Sequence, residues 1–298
     1  MEQIAYEILL FFTRALGALP LPVGQRMGAF VGKLAFHFDG RHRQVAQQNI
    51  SAALSLSPQA TQRLTKQVFA NIGQIFFETA WSWTRPRAEL LPYFRIEGES
   101  YIQSAHAKGR GVLVLTAHLG NWELLTVIAD MIRHHINIIY RPLDFKPMDR
   151  LVCEKRCRFG SRVVPKRKSL RMILRALRRG EMAAFLLDQS SDWYDGATSH
   201  FFHQRTFTNK GLALLAYKTG APVVPVFLIR EPAGFTGRFL PEVALLNSGD
   251  KTRDIQENTE RFNRVIETVN RQYPDQWFWV LRRWKNPTYQ PWPPRLAK

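Results

Sequence analysis

Apolar and polar positions along this chain follow two periods, one of strands and one of helices. Residues 112–115 form an unbroken apolar run, half of it β-branched, the pattern of a strand buried on both faces. A short turn, Ala117 to Asn121, interrupts it, and Leu124, Leu125, Ile128, Met131 and Ile132 then resume at helical spacing. Asn121 is placed to cap that helix, and Glu123 falls in its first turn, where a carboxylate suits the helix dipole. Similar apolar runs predict strands at 94–98, 136–140, 162–165, 182–187 and 222–229, with 239–246 as an antiparallel edge. Helical periodicity fills the intervals, ending in a long helix carried by Ile255, Thr259, Phe262, Ile266 and Val269. Strands alternating with helices predict an α/β fold with a mainly parallel sheet flanked by helices.

The first 38 residues follow a different pattern. Residues 4–19 are strongly apolar, yet they carry Glu7 and Arg14 and fall short of the about 20 apolar residues a spanning helix needs. Gln3, Glu7 and Arg14 share one stripe, with Ile4, Ile8, Phe11, Phe12, Ala15 and Leu19 opposite. That is the pattern of an amphipathic helix lying in a membrane interface. Pro20 and Pro22 end it, and a second apolar piece, residues 23–38, carries Arg26 and Lys33. The expected organisation is a membrane-anchoring helical segment at 1–38 and an α/β domain at 39–298. An ordinary amphipathic helix packed on the core is the alternative.

Composition narrows the partners. With 45% apolar and 12% aromatic residues, the chain of 298 is not a disordered one. A net charge of +18 implies acidic partners. No zinc-finger, RNP or basic-zipper pattern is present, so a membrane or an acidic protein is favoured over nucleic acid. The two cysteines, Cys153 and Cys157, lie four apart on a predicted helix, a spacing that favours reduced thiols over a disulfide or a structural zinc site.

Chemistry in open α/β sheets gathers outside the carboxyl ends of the strands. Three apolar runs end there in polar residues: His118, Arg141 and Asp188. Inside one helix, a spacing of five would set His118 and Glu123 roughly 140° apart. With His118 on the turn, Glu123 could instead accept a proton from one ring nitrogen and leave the other as a base. A locally satisfied histidine beside a dipole-matching carboxylate is the other reading of the same residues. The chain has no G-x-S-x-G elbow, P-loop, dinucleotide fingerprint or H-E-x-x-H pair. A His-Glu pair without its own nucleophile fits general-base catalysis on a hydroxyl brought by the substrate. Arg141 would then act on an oxyanion or phosphate, with Asp188 orienting it or another cationic group; a corner at Arg141-Pro142 and a loop start at Asp188 are the structural alternatives.

The segment T-A-H-L-G-N-W-E resembles the H-x4-E signature of glycerolipid and lipid A acyltransferases. The rest of the chain is similar to the late, lauroyl/myristoyl acyltransferases of lipid A biosynthesis. The matching pieces are Tyr140-Arg141-Pro142, Gly180-Glu181 leading to Asp188-Gln189, Phe201-Phe202 with Thr208, and Pro274 to Trp277 continuing through Arg283-Trp284. Leu281, His203 and Leu212 depart from the family's usual histidine, glycine and proline. The resemblance implies transfer of a fatty acyl group from acyl-acyl carrier protein to a hydroxyl of an acidic glycolipid, a lipid A precursor. It implies no metal or organic cofactor, and a place on the cytoplasmic face of the inner membrane. It makes His118 and Glu123 catalytic. Asn121, Arg141, Asp188, Gln189 and Thr208 become substrate-binding. Arg282 and Arg283, just after the Trp277-Phe278-Trp279 cluster, would contact the acidic lipid or carrier, with structural ion pairs as the equal alternative. The same chemistry on a lysophospholipid or a glycosylated phosphoinositide is the nearer alternative; a non-catalytic basic protein of the membrane surface is the other.

Overall fold

The computed structural model describes residues 1–166 and 169–284. Arg167 and Lys168 of the basic run Lys166-Arg167-Lys168, and the last residues of the 39–298 segment, lie outside the described residues. In chain order the first elements are α1 (Glu2–Gly17), α2 (Leu21–Phe38), α3 (Gly40–Leu54), α4 (Pro58–Thr84) and the short α5 (Arg87–Leu90). Then come β1 (Phe94–Glu97), α6 (Glu99–His106), β2 (Val112–Thr116), α7 (Leu125–Met131), β3 (Ile136–Tyr140), α8 (Lys146–Cys157) and β4 (Arg162–Pro165). The chain continues with α9 (Ser169–Arg178), β5 (Met182–Leu186), β6 (Gly196–Phe201), β7 (Gln204–Asn209) and α10 (Gly211–Thr219). It closes with β8 (Val223–Glu231), β9 (Gly234–Phe239) and α11 (Lys251–Gln272).

Seven strands form one sheet in the order β1-β9-β8-β2-β5-β3-β4. Every pairing in it is parallel except β8 with β9. The centre is β2, all five of whose residues are buried, as its unbroken apolar run requires. Alternate side chains feed two cores. Leu113, Leu115, Ala183 and Val223 pack with α9, α10 and α11 on one face. Val112, Val114, Ala184 and Val224 pack with α6 and α7 on the other. Each fully buried aliphatic side chain contributes roughly 1.5–3 kcal/mol. The expected α/β class, with its mainly parallel sheet, is the one observed.

The first two helices lean on α4. A Cβ on Gly32 would lie 2.0 Å from the Phe69 carbonyl oxygen, and one on Gly73 would lie 2.0 Å from that of Gly28. Only glycine lets α2 and α4 approach so closely. The first helix is fixed to α8, where the Tyr6 hydroxyl donates to Glu154 (2.5 Å) and the Arg150 guanidinium stacks 4.2 Å above the Tyr6 ring. Their outer faces stay uncovered: Ile4, Phe11, Phe12, Phe30 and Phe38 are all well exposed. No single described helix is long and apolar enough to cross a membrane, and α1 and α2 meet at 115°.

Two stretches differ from expectation. The antiparallel strand is β9, which ends at Phe239 and is covered by β1, so it is not an edge. Residues 240–246 run without strand structure. Pro241 has no N–H for a ladder there, although Leu240 and Val243 still donate to the Pro225 and Val223 carbonyls. The antiparallel hairpin β6–β7 is unanticipated, because its strands are short, polar and only half buried. Its two turn residues, Phe202 (φ 48°) and His203 (φ 64°), take left-handed backbone angles, as a two-residue hairpin turn demands. That requirement explains why glycine suits position 203.

Candidate active site

The turn after β2 is held from three directions. Gly120 (φ 60°) pairs with Leu228 of β8, and a Cβ there would lie 1.7 Å from the Leu228 carbonyl oxygen, so no other residue fits. Its N–H donates to the Gln276 carbonyl (3.0 Å), while the Phe278 N–H donates to the His118 carbonyl (3.0 Å). The Gln276 amide in turn clamps the backbone of Arg230, accepting from its N–H and donating to its carbonyl. Asn121 is fully buried, and its amide donates to the Ile75 carbonyl and the Glu78 carboxylate of α4. It caps no helix: a single 3-10 turn (Trp122–Leu124) precedes α7, and the Asn121 side chain makes no capping bond. Glu78 also receives a two-pronged Arg230 guanidinium, with Arg230 Nη2 at 2.7 Å. Asn121 therefore serves the frame of the turn.

This frame aims the His118 ring. Nδ1 lies 2.7 Å from Asp188 Oδ1, and the His118 backbone N–H donates to Asp188 Oδ2 (2.8 Å). The same Oδ2 accepts from the Trp277 indole N–H (2.7 Å). Asp188 is fully buried, and burial by itself would raise its pKa. The charge of His118 and these hydrogen bonds outweigh that and hold the carboxyl below its ordinary value. A carboxylate on Nδ1 places the proton there and leaves Nε2 as the acceptor. Nε2 has the Gln189 side-chain amide 3.5 Å away. Trp122 meets the ring edge-on at 4.8 Å, with Phe278 beyond it.

Glu123 is not on the ring, contrary to the sequence expectation. Arg156 of α8 engages it with two parallel hydrogen bonds (2.8 and 2.6 Å), and the Trp122 indole N–H adds a third. Burial again opposes ionisation, but the Arg156 charge, these bonds and the nearby His118 leave its pKa lowered. Two anions thus flank the imidazole, one in contact and one fixed by an arginine. The histidine's Nδ1 is met by Asp188, just past the end of the adjacent strand β5, and not by the carboxylate nearest in sequence.

The remaining expected residues separate. Gln189 faces the ring. Arg141 does not: it is 83% exposed in a loop, with Asp144 at 3.7 Å, and Asp188 orients His118 instead. Arg283 is fully buried, not a surface contact. Its Nη1 donates to the carbonyls of Gln189 (3.0 Å) and Phe207 (3.3 Å), and its Nη2 to Thr208 Oγ1 (2.7 Å) and Asn263 Oδ1 (3.1 Å). The Phe201 ring lies 4.6 Å below its guanidinium. Thr208, also buried, is part of that strut rather than of an open pocket. Arg282 is exposed, and Trp277 and Trp279 are core residues. Trp277, Arg156, Glu78 and Arg230 were missed. Each is held by a partner far away in sequence, and only the Trp-x-Trp spacing of Trp277 and Trp279 gave a local signal. Among the described residues, no group of three or more His, Cys, Asp or Glu side chains converges to hold a metal.

The α/β sheet thus presents an imidazole oriented by a buried carboxylate, with an amide and aromatic rings near its free nitrogen, an arrangement able to accept a proton at Nε2. The chain is an acyltransferase. Residues 3–286 match the bacterial lipid A biosynthesis acyltransferases, and the chain belongs to that family. It is 28% identical over 273 residues to the lipid A biosynthesis lauroyltransferase of Escherichia coli (strain K12), covering 90% of this chain and 87% of that protein. Similarity to the lipid A biosynthesis palmitoleoyltransferase of the same strain is 26% over 271 residues, 90% and 86% of the two chains. A phosphatidylinositol mannoside acyltransferase of Mycolicibacterium smegmatis is 27% identical over 188 residues, 62% of this chain and 60% of that protein.

Proposed function

We propose that the protein transfers a fatty acyl group from an acyl-acyl carrier protein to a hydroxyl of a lipid A precursor at the cytoplasmic face of the inner membrane. The observation that carries the reading is the His118–Asp188 pair, which leaves Nε2 facing only the Gln189 amide among the described residues. His118 Nε2 takes the hydroxyl proton as the oxygen attacks the thioester carbonyl. The tetrahedral oxyanion then collapses, the C–S bond breaks, and the imidazolium returns its proton to the departing thiolate. Asp188 holds the productive tautomer and stabilises the imidazolium, and Glu123 adds a second fixed negative charge. Base assistance of this kind is worth about 10²–10⁴-fold, so positioning supplies much of the rest.

The uncovered apolar faces of α1 and α2 lie against the lipid and bring the site to its acceptor. Replacing Phe11, Phe12 and Phe30 by Ser, which removes exposed rings without touching the core, releases the protein from membranes washed at high salt; undiminished retention overturns this part. The acceptor is tested by mass spectrometry of lipids from a strain lacking this protein. Lipid A short of one acyl chain, restored by the wild type and not by His118→Ala, is the expected result. Loss of an acyl chain from a mannosylated phosphoinositide or a phospholipid instead would move the acceptor and keep the chemistry. The partial similarity to the mannoside acyltransferase is what favours that second reading.

A further inference from the structure

Every charged residue from Arg162 to Arg179 is a lysine or arginine. In the structure Arg162 and Arg179 share Glu181, and Lys166 reaches Asp195. The centre of the segment is not neutralised. Arg171, Arg175 and Arg178 project from α9, are exposed, and form no ion pair among the described residues. At 100° per residue they fall within about 60° of arc, and at 1.5 Å rise they span roughly 10 Å. Ile173, Ala176 and Leu177 are buried, so α9 is fixed to the sheet and its arginine stripe points to solvent. Leu170 and Met172 are exposed at its first turn.

The position of α9 says what such a stripe meets. Its N-terminus follows β4, at the same sheet edge from which His118 follows β2. Three strand spacings separate β4 from β2, roughly 14 Å. A flexible thioester arm can cross that distance. Ile173 and Leu177 belong to the core on one face of the sheet, whereas Leu21 of α2 and Trp81 of α4 belong to the core on the other. Leu64 and Val68, nearer the start of α4, join the first core, so the separation is at the Leu21 end of α2, where a lipid surface leaves the stripe free for a soluble partner. Arginine and methionine beside a few apolar residues are the composition of a protein interface, and unpaired cations select an acidic one.

We propose that the arginine stripe of α9 is the docking face for an acidic carrier protein that delivers the acyl thioester to His118. The proposal rests on the donor reading given above. The test compares one acyl chain on two donors, an acidic acyl carrier protein and the small thioester of pantetheine, using the full-length protein. Arg171→Glu, Arg175→Glu and Arg178→Glu together raise KM for the carrier-borne chain by about tenfold or more, by the loss of electrostatic steering, and leave turnover of the pantetheine thioester within about twofold. Should charge reversal lower the melting temperature, the triple Gln variant carries the same comparison. An unchanged carrier KM overturns the docking face while the donor reading stands. A wild type that draws no acyl group from the carrier overturns the donor reading, and the docking face with it. An unchanged carrier KM with loss of binding to phosphatidylglycerol vesicles would assign the stripe to lipid.

Discussion

Arg283 separates a structural cation from a ligand-binding one. Burial pushes its pKa down to about 10, a depression worth about 3 kcal/mol against keeping the charge inside. Four hydrogen bonds offset it, and hydrogen bonds to a charged group contribute about 1.5–3 kcal/mol each, without simple additivity. Arg283→Met keeps the volume and removes the penalty. Several acceptors also keep other partners: the Phe207 carbonyl still receives Ser191 N–H (2.9 Å), and Thr208 Oγ1 keeps Ser199 and Asn263. The expected net loss is about 1–3 kcal/mol for Met, and about 3–5 kcal/mol for Ala, where a cavity opens. For a chain of this size, Tm falls by about 2 °C per kcal/mol, readable by thermal or urea unfolding. Because Nη1 holds the Gln189 carbonyl next to Asp188, kcat falls about tenfold, with both substrates' KM unchanged. A variant that melts as the wild type does but loses affinity for lipid or carrier would refute the assignment and return Arg283 to ligand binding.

Two further outcomes follow from local geometry. His203→Gly relieves a left-handed backbone angle in the β6–β7 turn and raises Tm by about 1–3 °C; a lower Tm would mean that the imidazole contributes more than the strain costs. Glu181 has its pKa lowered to about 2, first by the Arg179 hydrogen bond and then by Asn137 and the Arg179 and Arg162 charges, against burial. A carboxyl depressed in the folded state stabilises above its unfolded pKa and loses that contribution as pH falls through the folded one. The stability gap between wild type and Glu181→Gln is therefore about 1–3 kcal/mol at pH 7 and closes between about pH 4.5 and 2; a gap independent of pH contradicts the ionised role.

The sheet was legible because buried parallel strands read as unbroken apolar runs, as at residues 112–115 and 223–229. The β6–β7 hairpin was not, since Gly196 to Ser199 are small and hydroxyl residues without apolar alternation, which match a loop equally well. His118 was legible as a candidate base from its place at a strand end, where the structure holds its ring against Asp188. Its partner was not, because spacing arguments favour the neighbour five residues on over Asp188, 70 positions away. Of the two roles open to Arg283, binding and structural, the structural one holds: the Phe201 ring and four acceptors that surround it come from distant parts of the chain. The close α2–α4 crossing was not anticipated from Gly28 and Gly32, four residues apart on α2. Their partner Gly73 is far enough along the chain that only the fold connects them.

The central claim is that Asp188 orients the base and Glu123 acts from a distance. Single-turnover acyl transfer by purified Asp188→Asn and Glu123→Gln proteins tests it most directly. The amide that Asp188→Asn introduces would favour the wrong His118 tautomer, so the rate falls by about 10²–10⁴-fold with substrate affinity kept. Glu123→Gln retains the His118–Asp188 hydrogen bond and falls by only about tenfold. A near wild-type rate for Asp188→Asn, with Glu123→Gln inactive though folded, would contradict the account and return the orienting role to Glu123.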